Sequence, residues 1–181
     1  MYNKHGFASF EFYFVMVVIS LLVVVGIHRY LQLAEEVQRF SFEALAKNFS
    51  TAIYNAHEQW FIRHQDPVYE NIVDLSGEKI HMSEQGWPLS VVDDNAAADA
   101  SPVQAASIQS CVQLWMHLLQ NPKPISYVGG DAFGTRAYHL SLTETGECRY
   151  QLLVKNTIQV FFDYSPTTGQ VVIHSQVERK K

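Results

Sequence analysis

Apolar residues run almost unbroken from Phe7 to Ile27, with Glu11 as the one acid among them. A helix of about 20 such residues matches the hydrocarbon core of a bilayer, so the run is expected to be a transmembrane helix. Past Ile27 the apolar positions thin out to Leu33, Val37, Phe40, Ala44, Leu45, Phe49, Ile53, Ala56 and Trp60. Steps of three and four place these on one face of a continuing helix. Glu35, Glu36, Arg39, Glu43, Lys47, Asn55 and Gln59 fall largely on the other face. No proline occurs before Pro67, and Asp66-Pro67 is a turn signal, so the helix is expected to end near His64.

Val68 to Val92 reads as irregular, punctuated by Ser76-Gly77 and Gly86-Trp87-Pro88, and Asp93 to Ala100 as an exposed loop. Ser101-Pro102-Val103-Gln104 has the form of a helix start, with Ser as cap, Pro at the first helical position and Gln three after the cap. Ile108, Cys111, Val112, Trp115, Leu118 and Leu119 give this second helix an apolar face, and Asn121-Pro122 stops it. From Pro124 the pattern turns to strands, at Ile125–Val128, Arg136–Leu142, Cys148–Val154, Thr157–Tyr164 and Gln170–Val177. Gly129-Gly130, Thr145-Gly146 and Ser165-Pro166 with Gly169 mark turns between them, and the close spacing favours an antiparallel meander. The predicted fold is α+β: a long N-terminal helix, half in the membrane and half amphipathic, packed with a short second helix on an antiparallel β-sheet.

Length and charge narrow the function. The 181 residues leave room for one soluble domain beside the membrane segment. A net charge of −5 argues against a nucleic-acid binder resting on a basic surface, and Arg179-Lys180-Lys181 reads as a solvated basic end. Orientation does not follow from flanking charge, because Arg29 answers Lys4 across the apolar run. Both cysteines, Cys111 and Cys148, lie downstream of that run. They form either one disulfide in an oxidising compartment such as the periplasm or two buried thiols. With no C-x-x-C and no His cluster at ligand spacing, the disulfide is favoured over a metal pair or a catalytic thiol.

The order Lys4, Gly6, Phe7, Glu11 resembles a type IV prepilin. There a short charged leader ends in Gly, the mature chain opens on Phe, and its fifth residue is Glu. Further stretches look like pilins of the mannose-sensitive haemagglutinin pilus: Phe49–Trp60, Gly86-Trp87-Pro88, Cys111–Pro122, Cys148-Arg149-Tyr150 and Phe162–Val171. The resemblance implies a pilin fold divided into a leader at 1–6, an assembly helix at 7–27, its amphipathic continuation at 28–64 and a periplasmic head at 65–181. It implies a prepilin peptidase that cuts after Gly6 and methylates Phe7. Its other partners would be pilin subunits, the inner-membrane assembly platform and, before assembly, the lipid bilayer. The chain lacks a proline near Gly26-Ile27-His28, carries Phe12-Tyr13-Phe14, and has Lys4 two positions before Gly6. These departures point to a minor pilin in place of an abundant one, on a single-pass inner-membrane chain that moves to the pilus. An uncleaved bitopic accessory protein of pilus biogenesis and a membrane-anchored binding module are the rival readings.

Within this resemblance Glu11 is the assembly residue. A cut after Gly6 gives Phe7 a new α-amino group, and the Glu11 carboxylate can pair with that amine on a neighbouring subunit. No comparable chemistry is found elsewhere. His57-Glu58 opens like H-E-x-x-H but has Phe61 at the fifth place, and reads as a polar pair facing solvent on the helix. Gly129 to Gly134 lacks the Lys-Ser/Thr of a phosphate loop, and Asp93-Asp94-Asn95 lacks regular calcium-ligand spacing. Phe40, Phe49 and Trp60 read as packing core. No nucleophile, base and orienter assemble, so neither an enzyme activity nor a metal or cofactor is expected.

Overall fold

The computed structural model describes residues 5–63, 71–75, 77–92, 106–130, 136–154 and 157–175. The chain divides into two units, Met1–Phe40 and Ser41–Lys181. Helix α1 spans His5–Arg63 without interruption, as expected where no proline breaks the backbone ladder. Between Glu11 and His28 the helix is almost wholly apolar. Its segment Glu11–Tyr30 has a mean hydropathy of 2.2, is long and apolar enough to cross a membrane, and has no buried residue within the chain.

The second unit is built on residues 41–63 of α1. Phe42, Ala46, Phe49, Ile53, Ala56 and Trp60 are buried there in steps of four and three. This corrects the expected stripe. Phe49, Ile53, Ala56 and Trp60 belong to it, whereas Leu33, Val37, Phe40 and Ala44 are exposed and Phe42 and Ala46 take the buried places. A 3.6-residue helix turns an extra increment on every heptad, so one apolar stripe cannot be followed from residue 33 to 60 on one face.

Five strands form the main sheet, in the order β4 (Ile125–Tyr127), β5 (Tyr138–Leu142), β6 (Cys148–Val154), β7 (Thr157–Tyr164) and β8 (Val171–Ser175). The last four are antiparallel, with Tyr150 opposite Phe162 and Phe162 opposite Ile173. β4 instead pairs parallel to β5, which corrects the all-antiparallel expectation. Leu140, Tyr150, Leu152, Phe162 and Tyr164 are buried. Phe49 of α1 sits among them, with ring centroids 5.3 Å from Tyr150, 5.6 Å from Phe162 and 5.6 Å from Tyr164.

Residues read as irregular form a second, antiparallel sheet of β1 (Ile72–Leu75), β2 (Glu78–Met82) and β3 (Pro88–Val91). Gly77 lies in the turn of its first hairpin, where Asp74 Oδ1 accepts a hydrogen bond from Gly77 N at 2.9 Å. Val73, Ile80 and Met82 join the common core. Helix α2 spans Ile108–Leu118. Its cap is Ser107, in place of the expected Ser101, which lies with residues 101–105 outside the described residues. Ser110 N donates to Ser107 Oγ, and Ser107 N donates to Ser110 Oγ, a reciprocal box. Trp115 then stacks on Tyr150 with centroids 5.2 Å apart, and its indole N–H donates to Lys123 O.

Phe49→Ala empties a fully buried site at the centre of this packing, and is expected to cost about 3–5 kcal/mol of head stability. Phe61→Ala, at a position 62% exposed, is expected to stay within about 0.5 kcal/mol. Urea unfolding of the full chain in detergent, followed by tryptophan fluorescence, measures both.

Candidate functional site

Gly6, Phe7 and Glu11 all lie on α1, so Glu11 stands one helical turn beyond Phe7 on the same side. The Glu11 side chain is exposed, and so are Phe12, Tyr13, Phe14 and Val15 behind it. None of the described side chains forms an ion pair with it. The arrangement is an apolar rod with one carboxylate in its second helical turn. A surface of this kind is stable only when lipid or other apolar protein covers it.

Cys111 and Cys148 are both fully buried and stand at disulfide distance, with Cα atoms 5.7 Å apart. The bridge ties α2 to β6. Beside it the Tyr150 hydroxyl donates to Cys111 O at 2.8 Å, and Tyr164 donates to Pro88 O at 2.6 Å. Burial pushes both phenols well above their ordinary pKa, and they serve as neutral donors. Together these bonds connect α2 and β3 to the main sheet.

Other polar groups occur where sequence reading placed none. Arg149 and Asp163 face each other across β6 and β7, and the guanidinium donates to both carboxylate oxygens at 2.7 and 2.8 Å. Asp163, by accepting these bonds, holds the Arg149 pKa above its ordinary value. The same guanidinium lies 4.5 Å from the Phe161 ring centroid, and His174 stacks on that ring's residue at 4.7 Å. Strand alternation could have found the pair, since both positions are odd-numbered neighbours of buried aromatics. Ser126 and His139 form a second buried contact, Oγ to Nδ1 at 3.0 Å, and the serine also donates to Tyr138 O. Burial lowers the His139 pKa.

His57 is half-buried and packs against its neighbours, which corrects the expected solvent-facing position. Its ring stacks on Trp87 at 3.8 Å with planes 13° apart, and Nδ1 lies 2.7 Å from Gly86 O. Gly86 and Gly169 both have positive φ, and a Cβ on either would run into Trp60 or Trp87 respectively. Gly86-Trp87-Pro88, read as punctuation, is therefore also a packing element. Among the described residues no three His, Cys, Asp or Glu side chains gather as a metal site. Asp93-Asp94-Asn95 lies outside the described residues. Gly129-Gly130 is a turn, closed by Gly130 N donating to Tyr127 O.

The geometry defines an α+β head domain carried on a helix with a membrane-length apolar segment. Compared with family models, curated proteins and solved structures, the chain matches none.

Two outcomes follow for the head. Cys148→Ser, with Cys111→Ser, should lower its stability by about 2–5 kcal/mol, read from the denaturant midpoint against the parent chain. His139 has a depressed pKa in the fold, so its stabilising contribution is complete above the unfolded value of about 6.5 and is lost as pH falls below that and through the folded value. Thermal melts from pH 7.5 down to 5 should show a falling midpoint that His139→Gln flattens. An unchanged slope would contradict the assignment.

Proposed function

We propose that this protein is a minor pilin-like structural subunit, cut after Gly6 by a prepilin peptidase, methylated at Phe7 and assembled into a type IV pilus of the mannose-sensitive haemagglutinin type. What carries the reading is one juxtaposition. Gly6-Phe7 stands a single helical turn before Glu11, at the head of a 20-residue apolar segment with no cover of its own. Before assembly the segment rests in the inner membrane with the head in the periplasm, where the cysteine pair can oxidise. On assembly, apolar faces of neighbouring helices replace lipid. The Phe7 amine of one subunit then meets the Glu11 carboxylate of another. In a low-dielectric setting a wrong register leaves both charges unpaired, so the pair fixes axial position. The head supplies the outward surface through which such a pilus contributes to cell adhesion.

Mass spectrometry of the N-terminus tests the reading. The mature chain is expected to begin at N-methyl-Phe7 in cells that make the peptidase, and an intact Met1 on all copies favours the uncleaved accessory protein. Glu11→Ala should still be cut, yet its recovery in sheared pili should fall about tenfold or more, on the scale of a broken buried ion pair. Undiminished recovery would leave a membrane-anchored binding module as the better account.

A further inference from the structure

The candidate membrane span ends at Tyr30. Beyond it α1 carries Glu36 and Arg39, so hydrocarbon no longer suits the helix as a whole. Tyr30, Leu33, Val37 and Phe40 nevertheless keep 70%, 58%, 56% and 62% of their surface open. They recur at steps of three, four and three, the alternation that keeps one seam facing a partner helix in a left-handed coiled coil. The same alternation reaches back into the span through Gly26 and Val23. Apart from the adjoining residues and the helix's own backbone, nothing lies within 4 Å of the place a Gly26 Cβ would take, so a second backbone can approach closely there.

We infer that this seam pairs in register with the same seam of a second copy, as a parallel two-helix coil rising from the membrane surface. Two copies inserted with one orientation present identical residues at identical heights. The pairing is then self-complementary about a two-fold axis. A partner of another sequence would have to repeat the spacing at that same height. Charge also suits a copy. With Tyr30 and Val37 at the first core position and Leu33 and Phe40 at the second, Arg29 and Glu36 take one flank and Ala34 the other. Parallel pairing sets each copy's charged flank opposite the other's uncharged one, so no like charges meet. Confinement to one bilayer raises the effective concentration of the two seams. The inference rests on the membrane span and not on cutting at Gly6, so it can fail while the pilus reading stands, and the reverse.

Purified full-length protein in lipid vesicles, free of peptidase and assembly machinery, provides the test. Single cysteines are placed at Leu33→Cys and Val37→Cys on the seam, and at Glu36→Cys and Gln38→Cys beside it. Mild oxidation should cross-link the seam positions at least about fivefold more than the other two, with Cys111 and Cys148 held in their buried bridge. Mixing two single-cysteine chains should favour like with like. Equal cross-linking at all four positions, none at the seam, or a preference for positions at different heights would overturn it. Leu33→Glu in the Val37→Cys chain should abolish the cross-link while the head keeps its denaturant midpoint. A cross-link that persists through that change also counts against the seam.

Discussion

An apolar helical segment with no cover inside its own chain is the constraint on which the rest depends. No residue of Glu11–Tyr30 is buried within the protein, and burying one side chain of its kind stabilises by about 1.5–3 kcal/mol. The segment therefore resides in lipid, in protein packing, or in one after the other. The single carboxylate at its start, Glu11, has no ion-pair partner among the described side chains. Under the proposed pilus reading, a neighbouring subunit's amine would supply one.

The head follows a different logic. It holds its core with aromatic rings, and Phe49 of α1 touches three of them at once. Buried tyrosine hydroxyls and the Cys111–Cys148 bridge fasten the pieces that ring packing alone would leave adjustable, namely α2 and the second sheet. Close glycine contacts do the same at the turns, where Trp60 and Trp87 lie against Gly86 and Gly169. Polar pairs such as Arg149–Asp163 lie among these strands without entering the aromatic core.

Much of this was legible in the chain. β6 and β7 have the bounds their alternation predicts, and the turns at Gly77, Gly129, Gly146 and Gly169 sit at glycines with positive φ. The cysteine pair could be expected from number and context. What escaped did so for physical reasons. β1 to β3 are only four or five residues long, too short for alternation to stand out, and a hairpin turn at Gly77 looks like any loop. The parallel β4–β5 pair depends on the path of a connection, which local pattern does not encode. Phe40 and Phe42 are equally apolar and two residues apart, yet one is exposed and the other buried. Helical phase decides between them, and a stripe traced over many turns loses that phase. For the candidate site, Gly6, Phe7 and Glu11 are visible as spacing alone, while the packing roles of His57 and Gly86 needed the fold.

The claim that a lipid-covered rod organises this protein is most directly tested by accessibility along α1. Spin labels placed one at a time from Phe12 to Tyr30, in full-length protein in bilayers with its disulfide intact, report collisions with oxygen and with a water-soluble nickel complex. Oxygen contact should rise to a maximum near the middle of the segment, around Ile19 to Leu22, while the nickel complex reaches only the two ends. Nickel access along the whole stretch would mean that water covers these residues, and the account would fail.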